Sequence, residues 1–471
     1  MLRIRFGGSA LLLAGSALMS ACGSVPNLGP APVPRAVADR SAPSNPAAWP
    51  VSDWWGDYRD PQLDQLVGEA LKGAPTIATA VARVRIAQGY AQQVGASLAP
   101  HIDATASGGL IQQSENVGVP AAFVPQGWQK TGKLGLGFSV DPDLWGAQHA
   151  ERSAARADLD NARFALAEAR LVLTANVAAT YAELARLHAQ RDVLESEVGI
   201  RIETLDLVRR RFTAGIEGET QLRQAESRVP AARADLAACD EAIGLTRNAL
   251  AALAGAGPER AAAIQRPTVS LLAPRSLPDH ATIDLLGRRP DIAMARVSAE
   301  AAAERIKVAR AAFFPNISLS GLIGLQSFGF SKLLTGGSAF GNVGPAVTLP
   351  IFHGGALAGQ YRGARGQYDL AIAHYDSTVV EALHQVADTM VSRDALAVRL
   401  DQSRAALAAA ARAAALARHR YAGGLSPYLD VLTADEGMLE ARRNVADLEA
   451  RAFLIDVSII RALGGGFTAS A

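Results

Sequence analysis

The feature that most constrains this chain is one helix-ending turn that occurs twice. The stretch RRFTAGIEGETQL begins at Arg210, and HRYAGGLSPYLDV begins at His419, nearly half the chain later. Both contain an arginine, an aromatic residue, two small residues, a glycine and an aliphatic residue before a new helix starts. Glycine permits the left-handed conformation that commonly ends a helix. The repeat therefore predicts two similar helical hairpins.

The helices on either side of each turn are predicted to be very long. No proline occurs from Gly146 to Phe212, and apolar residues recur there at threes and fours, the spacing of coiled coils. The second copy lacks proline between Gly354 and Ser426. A helix of that span is about 100 Å long at ~1.5 Å per residue. We predict long helices at about 146–212, 218–255, 354–422 and 427–463.

Pairs of short alternating segments come before each long helix. HIDATASGGL, KLGLGFSVD, NISLSGLIG and NVGPAVTLPI place apolar residues on one side and small or polar residues on the other. This alternation is typical of β-strands. We predict strands at about 101–112, 131–142, 315–326 and 341–352. The whole unit is therefore duplicated, with a first structural repeat at 51–260, a linker at 261–281 and a second repeat at 282–466.

The first residues are predicted to be a targeting segment. Arg3 and Arg5 precede an apolar stretch, and LMSAC, which ends at Cys22, resembles a bacterial lipobox. This resemblance predicts a signal peptide at 1–21, lipidation of Cys22 and a lipidated N-terminal tether at 22–50, which is rich in proline. The alternative is an ordinary signal peptide with a chance cysteine.

Four strands allow two interpretations. A sheet that crosses a membrane must close, because open edges in lipid leave backbone groups unpaired. The smallest membrane barrels have about eight strands, so several chains would have to share one barrel. The other possibility is a water-soluble sheet with one buried face. The lipoprotein-like start favours the barrel.

Several motifs together resemble a known family. WWGDYRDPQLDQLV, DPDLWG, LLGRRPDIAMA, FFPNISLSG and RYAGGLSPYLDVL occur in the order expected for TolC-like outer-membrane efflux factors, more narrowly the NodT-type lipoproteins of RND efflux systems. The resemblance covers nearly all of the mature chain. It implies a mainly α protein with membrane β structure: a homotrimer with a twelve-stranded outer-membrane barrel and a periplasmic helical tube. The channel would passively conduct substrates supplied by an inner-membrane RND pump and a periplasmic adaptor, the membrane fusion protein.

The same resemblance assigns roles to residues at the two turns. A carboxylate repeated around a threefold axis would attract cations and narrow the tube. The gate candidates are Tyr428, Asp430 and Asp435. The candidates for adaptor contact are Arg211, Gly215, Arg420, Gly424 and Leu425. Solvated charges and ordinary helix termination are the simpler interpretations of these residues.

Other classes of function find no support in the sequence. The eight histidines lack metal-binding spacing, and no nucleotide-binding loop occurs, so we predict no enzyme activity, cofactor or metal. With 46 basic and 45 acidic residues, no basic field indicates nucleic acid. A periplasmic coiled-coil adaptor or scaffold lipoprotein stays as the alternative. An adaptor normally has one hairpin, whereas this chain has two.

Overall fold

The computed structural model describes residues 25–34, 49–114, 116, 120–268 and 287–468. The predicted signal peptide, Cys22 and residues 269–281 of the predicted linker lie outside the described residues. The helices are α1 (Pro61–Gly73), α2 (Pro75–Ala96), α3 (Ala147–Thr213), α4 (Glu219–Leu253), α5 (Pro258–Ala262), α6 (Pro290–Ala311), α7 (Ala356–Ala422) and α8 (Tyr428–Ala462). The strands are β1 (His101–Ile111), β2 (Gln129–Val140), β3 (Asn316–Phe328) and β4 (Ala339–Thr348).

The duplication is visible in the lengths of the helices. α3 and α7 each have 67 residues, and α4 and α8 each have 35. Each 67-residue helix follows a strand pair and is followed by a tight turn, as the sequence predicts. Among the helices of the described residues, none has an apolar stretch that is long enough to cross a membrane.

The chain forms two compact units. We call Met1–Pro34, Val84–Asn161 and Ala295–Tyr375 the strand unit, because it contains the whole sheet. We call Arg35–Arg83, Ala162–Met294 and Asp376–Ala471 the helix unit, because it contains both hairpin turns.

The strand unit contains one antiparallel sheet with the order β1-β2-β3-β4. β2 and β3 pair from Thr131–Phe328 to Val140–Leu319, so the two repeats meet at the centre of the sheet. β4 ends at Thr348, before Pro350, although the sequence predicts a strand to about 352.

One face of this sheet is apolar and exposed. Cross-strand pairs such as Ala106–Leu134 and Leu136–Ile323 put the predicted apolar residues on the same side. Ile323 is 65% exposed and Val343 is 71% exposed. We call this side the apolar face. Asp103, Thr105 and other polar residues alternate with it and face the opposite side.

The helix unit contains a large core of its own. Trp54 and Tyr58 pack with the apolar residues of α1, with Leu173 and Val177 of α3, and with Phe453 of α8. Asp60 caps α1 by accepting a hydrogen bond from the Gln62 backbone N–H at 3.0 Å. Pro61 occupies the first helical position, which needs no backbone donor.

Candidate functional site

The two hairpin turns have the same backbone structure. Gly215 has φ 72° and Gly424 has φ 75°, both in the left-handed region. The Ile216 N–H donates to the Arg211 carbonyl at 2.9 Å, and in the second turn the Leu425 N–H donates to the Arg420 carbonyl at 2.8 Å. Such a bond closes the last turn of a helix around a left-handed glycine. The repeated sequence therefore folds into a repeated turn.

Three side chains join the two turns to each other. The Tyr421 hydroxyl donates to Glu217 Oε1 at 3.0 Å. Arg211 Nη1 donates to the Tyr421 carbonyl oxygen at 2.9 Å, and its guanidinium lies 4.5 Å from the centre of the Tyr421 ring. Arg211 Nε is 3.8 Å from Glu217 Oε1. We call Arg211, Glu217 and Tyr421 the tip clasp, because it links the first hairpin to the second within one chain.

The tip clasp is centred on a buried tyrosine, with Arg211 and Glu217 half-buried around it. Tyr421 is 0% exposed and packs with Val208, Tyr428 and Val431. Burial and the neighbouring Glu217 carboxylate raise the pKa of the Tyr421 hydroxyl well above its usual range. The hydroxyl therefore remains a hydrogen-bond donor at neutral and moderately alkaline pH. The positive Arg211 guanidinium lies between the Tyr421 ring and the Glu217 carboxylate and interacts favourably with both.

The predicted gate residues occupy three different environments. Asp430 is exposed in the first turn of α8. Tyr428 is buried, with its ring centre 5.9 Å from that of Tyr421. Asp435 is 0% exposed, and its Oδ1 lies 2.7 Å from Arg418 Nη2. Burial raises the pKa of Asp435, although the Arg418 guanidinium opposes that effect. Among the three, only Asp430 presents its carboxylate to solvent.

The predicted adaptor contacts also differ from one another. Gly215, Arg420, Gly424 and Leu425 are exposed, and Leu425 is 72% exposed. Arg211 is engaged inside the tip clasp, because its guanidinium packs on the buried Tyr421 ring. Arg211 and Arg420 occupy equivalent positions in the repeated sequence, but in the structure Arg211 packs on Tyr421 and Arg420 is exposed.

The structure also reveals contacts that the sequence analysis missed. Arg418 and Asp435 occupy the positions in the second copy that Arg209 and Glu226 occupy in the first. Both pairs are ion pairs, at 2.7 Å and 3.7 Å respectively. Aligning the two copies residue by residue beyond the turn would have found this repeated pair. It would not have found the tip clasp, whose members come from non-equivalent positions.

The family of the chain follows from its match to a family model. The model described as "Outer membrane efflux protein" matches residues 66–256 and 283–465, which include both repeats. The chain belongs to the outer membrane efflux protein family. Fusaric acid resistance protein FusA of Burkholderia cepacia is 37% identical over 75% of this chain and 68% of its own length. Pyoverdine export outer membrane protein OpmQ of Pseudomonas aeruginosa is 29% identical over 97% and 96%.

A solved structure of the family supports the fold. The outer membrane protein VceC of Vibrio cholerae is 40% identical, with a TM-score of 0.85 over 89% of this chain and 100% of that chain. The predictions of a TolC-like fold, an outer-membrane location and an efflux function are therefore confirmed. This protein is an outer-membrane channel of an efflux system. The alternative of a periplasmic adaptor or scaffold is not retained, because the family match includes both repeats.

Proposed function

We propose that three copies of this chain share one closed barrel and one helical tube, through which substrates pass passively from an RND pump and its adaptor to the exterior. The observation that carries this proposal is the sheet of the strand unit. It has two edges, β1 and β4, without a strand partner among the described residues, and an exposed apolar face. Such a sheet is stable in lipid only when other copies pair with both edges.

The trimer is tested by the mass of the detergent-solubilised protein together with its conductance. Native mass spectrometry should give a mass of three chains, and the same preparation should form ion-conducting channels in planar bilayers. A monomer that inserts in bilayers and conducts would contradict the shared barrel. A water-soluble monomer without added detergent would contradict the membrane role of the sheet.

We propose that Cys22 carries the lipid anchor. The described residues 25–34 that follow it contact α7 in the strand unit. Arg365 donates to the Pro30 carbonyl, and the Tyr368 hydroxyl donates to the Pro32 carbonyl at 3.3 Å. Arg365 and Tyr368 lie in the third and fourth turns of α7, within the strand unit that contains the sheet. The described residues that follow Cys22 therefore pack on the same unit as the proposed membrane sheet, which supports an anchor on that side.

We propose that Asp430 forms the gate ring of the trimer and that the tip clasp holds the gate closed. Three exposed carboxylates close to a threefold axis would favour cations and repel each other. Asp430→Asn should therefore reduce the cation selectivity and change the single-channel current of reconstituted channels. Glu219→Gln is the matched control, because Glu219 is an exposed carboxylate in the first turn of α4. Equal single-channel currents in wild type, Asp430→Asn and Glu219→Gln would show that Asp430 does not form the gate.

We propose that the adaptor docks on the exposed aliphatic ends of the turns, beside Arg420 and the two glycines. Ile216 is 63% exposed and Leu425 is 72% exposed, at equivalent positions of the two copies. The Ile216→Ser, Leu425→Ser double variant should co-purify with less adaptor from cells. Leu245→Ser is the control, because Leu245 is 61% exposed in α4, away from both turns. Undiminished co-purification of the adaptor with the double variant would contradict this docking site.

A further inference from the structure

The lysines of this chain are concentrated at one end of the sheet. Only five of the 46 basic residues are lysines, and three of these five are Lys130, Lys133 and Lys332. No arginine occurs in residues 101–151 or 311–361, so these lysines carry nearly all the positive charge of the strand region. All three lie at or beside the end of the sheet where β1 connects to β2 and β3 connects to β4, opposite the end that joins the helices.

Lys130 points to the apolar face. It pairs with Leu110 across the β1–β2 ladder, and it alternates in phase with Gly132, Leu134 and Leu136. Its side chain is therefore on the same side of the sheet as those leucines. Leu110 is 61% exposed, and Lys130 is exposed as well. Lys133 faces the other side, where its Nζ lies 5.1 Å from the centre of the Phe340 ring.

Phe330, two residues before Lys332, packs tightly on the same face. A Cβ at Gly108 would lie 2.9 Å from Phe330 Cε1, and one at Gly132 would lie 3.1 Å from Phe330 Cδ1. The Phe330 ring therefore fills a notch that the cross-strand glycine pair leaves on the apolar face. The Gly329 N–H also donates to the Lys130 carbonyl at 2.6 Å. These two contacts attach the short turn that carries Lys332 to the end of the sheet that carries Lys130.

Neither lysine has an anionic partner among the described residues. The sequence between β1 and β2 contains one acidic residue, Glu115, which lies outside the described residues. Exposed apolar side chains surround the pair, including Trp128 at 67% and Leu334 at 80%. Cations with long aliphatic stems, next to aromatic and aliphatic groups, are suited to the boundary between a hydrocarbon layer and anionic headgroups.

From this arrangement we infer that Lys130 and Lys332 bind the phosphate groups of the glycolipid that forms the outer leaflet of the outer membrane, the lipid A part of lipopolysaccharide. The inference rests on the proposed orientation of the channel, in which the ends of the strands far from the helices face outward. The acyl chains would lie on the apolar face near Leu110 and Leu134. The two ammonium groups would bind phosphate oxygens above them, and Phe330 would position Lys332.

The test compares lipid binding by three matched proteins. The Lys130→Gln, Lys332→Gln double variant removes the proposed site. The Lys72→Gln, Lys307→Gln double variant removes the same charge from α1 and α6, at two lysines outside the sheet. Native mass spectrometry of the solubilised protein with bis-phosphorylated lipid A should give the same binding for wild type and control. The site variant should bind at least about tenfold more weakly, because each cation near an anionic lipid surface contributes about 1 kcal/mol.

Two further comparisons identify which phosphate-containing lipid binds and control for misfolding of the variants. Phosphatidylglycerol should compete poorly with lipid A, and the Lys130→Arg, Lys332→Arg variant should keep lipid A binding. Equal binding by the site variant and wild type, or equal affinity for phosphatidylglycerol and lipid A, would overturn the inference. Bilayer conductance of the site variant should match wild type. Loss of conductance in wild type and in every variant would contradict the proposed channel function. The lipid-binding comparison would still be interpretable, because it does not depend on conductance.

Discussion

The first and second hairpin turns share one backbone conformation, but they place equivalent side chains in different environments. Gly215 and Gly424 have nearly the same φ, and equivalent N–H groups close both turns. Phe212 and Tyr421 occupy equivalent positions, yet Phe212 is 39% exposed and Tyr421 is 0% exposed. A turn geometry encoded by a few neighbouring residues is thus copied faithfully. The burial of the aromatic residue depends on which side chains pack against the turn, and it differs between the two copies.

Replacement of the two aromatic residues should give the largest difference between the turns. Tyr421→Ala removes a buried ring together with its hydroxyl bond to Glu217 and its contact with the Arg211 guanidinium, so we expect a loss of about 3–5 kcal/mol of local stability. Phe212→Ala removes a ring that is already partly in water, and we expect a loss below about 1 kcal/mol. Amide hydrogen exchange at the hairpin ends measures both effects. Equal protection in the two variants would show that the tip clasp does not stabilise the closed tip.

The repeated ion pair should give the next largest difference. Arg418→Gln leaves Asp435, which is 0% exposed, without its cation. An unpaired buried carboxylate costs about 2–3 kcal/mol here, because the Arg418 side chain is itself 34% exposed. Arg209→Gln breaks a pair whose side chains are 58% and 33% exposed, and such pairs contribute about 0–1 kcal/mol. Thermal unfolding of the solubilised protein, followed by circular dichroism, measures both variants. If Arg209→Gln lowered the melting temperature more than Arg418→Gln did, the difference in burial would not explain the different contributions of the two ion pairs.

Replacement of Gly215 and replacement of Gly424 should reduce stability equally, because the two glycines share a backbone conformation. Gly215→Ala and Gly424→Ala each force a side chain into the left-handed region, at a cost of about 1–2 kcal/mol. Neither added Cβ would meet another atom within 4 Å, so backbone strain is the main contribution in both variants. The melting temperatures of the two variants should therefore agree within error. A large difference would mean that the turns are less alike than their backbones indicate.

The smallest expected effect is a pH dependence confined to the second hairpin. The pKa of Asp435 is raised in the folded chain, so the folded state holds this proton more tightly than the unfolded state. The resulting stabilisation is fully present below the unfolded pKa and is lost as pH rises through the folded pKa. Protection of the α8 amides, corrected for intrinsic exchange, should therefore increase on acidification towards that range.

Asp435→Asn should remove this dependence, and Glu226→Gln, at the equivalent position of the first copy, serves as its control. An unchanged pH profile in Asp435→Asn would assign the dependence to another group.

Most of the fold was predictable because its determinants are local. The absence of proline from Gly146 to Phe212, together with apolar residues at threes and fours, predicts the helix observed at Ala147–Thr213. The alternation in KLGLGFSVD predicts β2 and its apolar face. The predicted end of β4 was less accurate, because the apolar pattern continues to Ile351 while the ladder ends at Thr348.

The candidate site was less predictable, because its residues are brought together by packing. The sequence made Arg211 and Arg420 equivalent and grouped Asp430 with Asp435. The structure places Arg211 on a buried tyrosine and buries Asp435 beside Arg418, while Arg420 and Asp430 remain exposed. The Arg211–Tyr421 contact joins residues that are 210 positions apart, so no spacing within either copy reports it. The Arg418–Asp435 pair spans only 17 positions, but the burial of Asp435 depends on packing and not on that spacing.

The sequence by itself determined the duplication, the long helices, the alternating strands and the glycine turns. Each of these depends on interactions within a few residues, such as the left-handed conformation at Gly215 or the alternation along β2. Only the tertiary structure decided which copy of each turn residue is buried. Side-chain burial depends on the neighbouring helix: Val208 and Leu222 of the first hairpin enclose Tyr421 of the second, and its equivalent Phe212 remains partly in water.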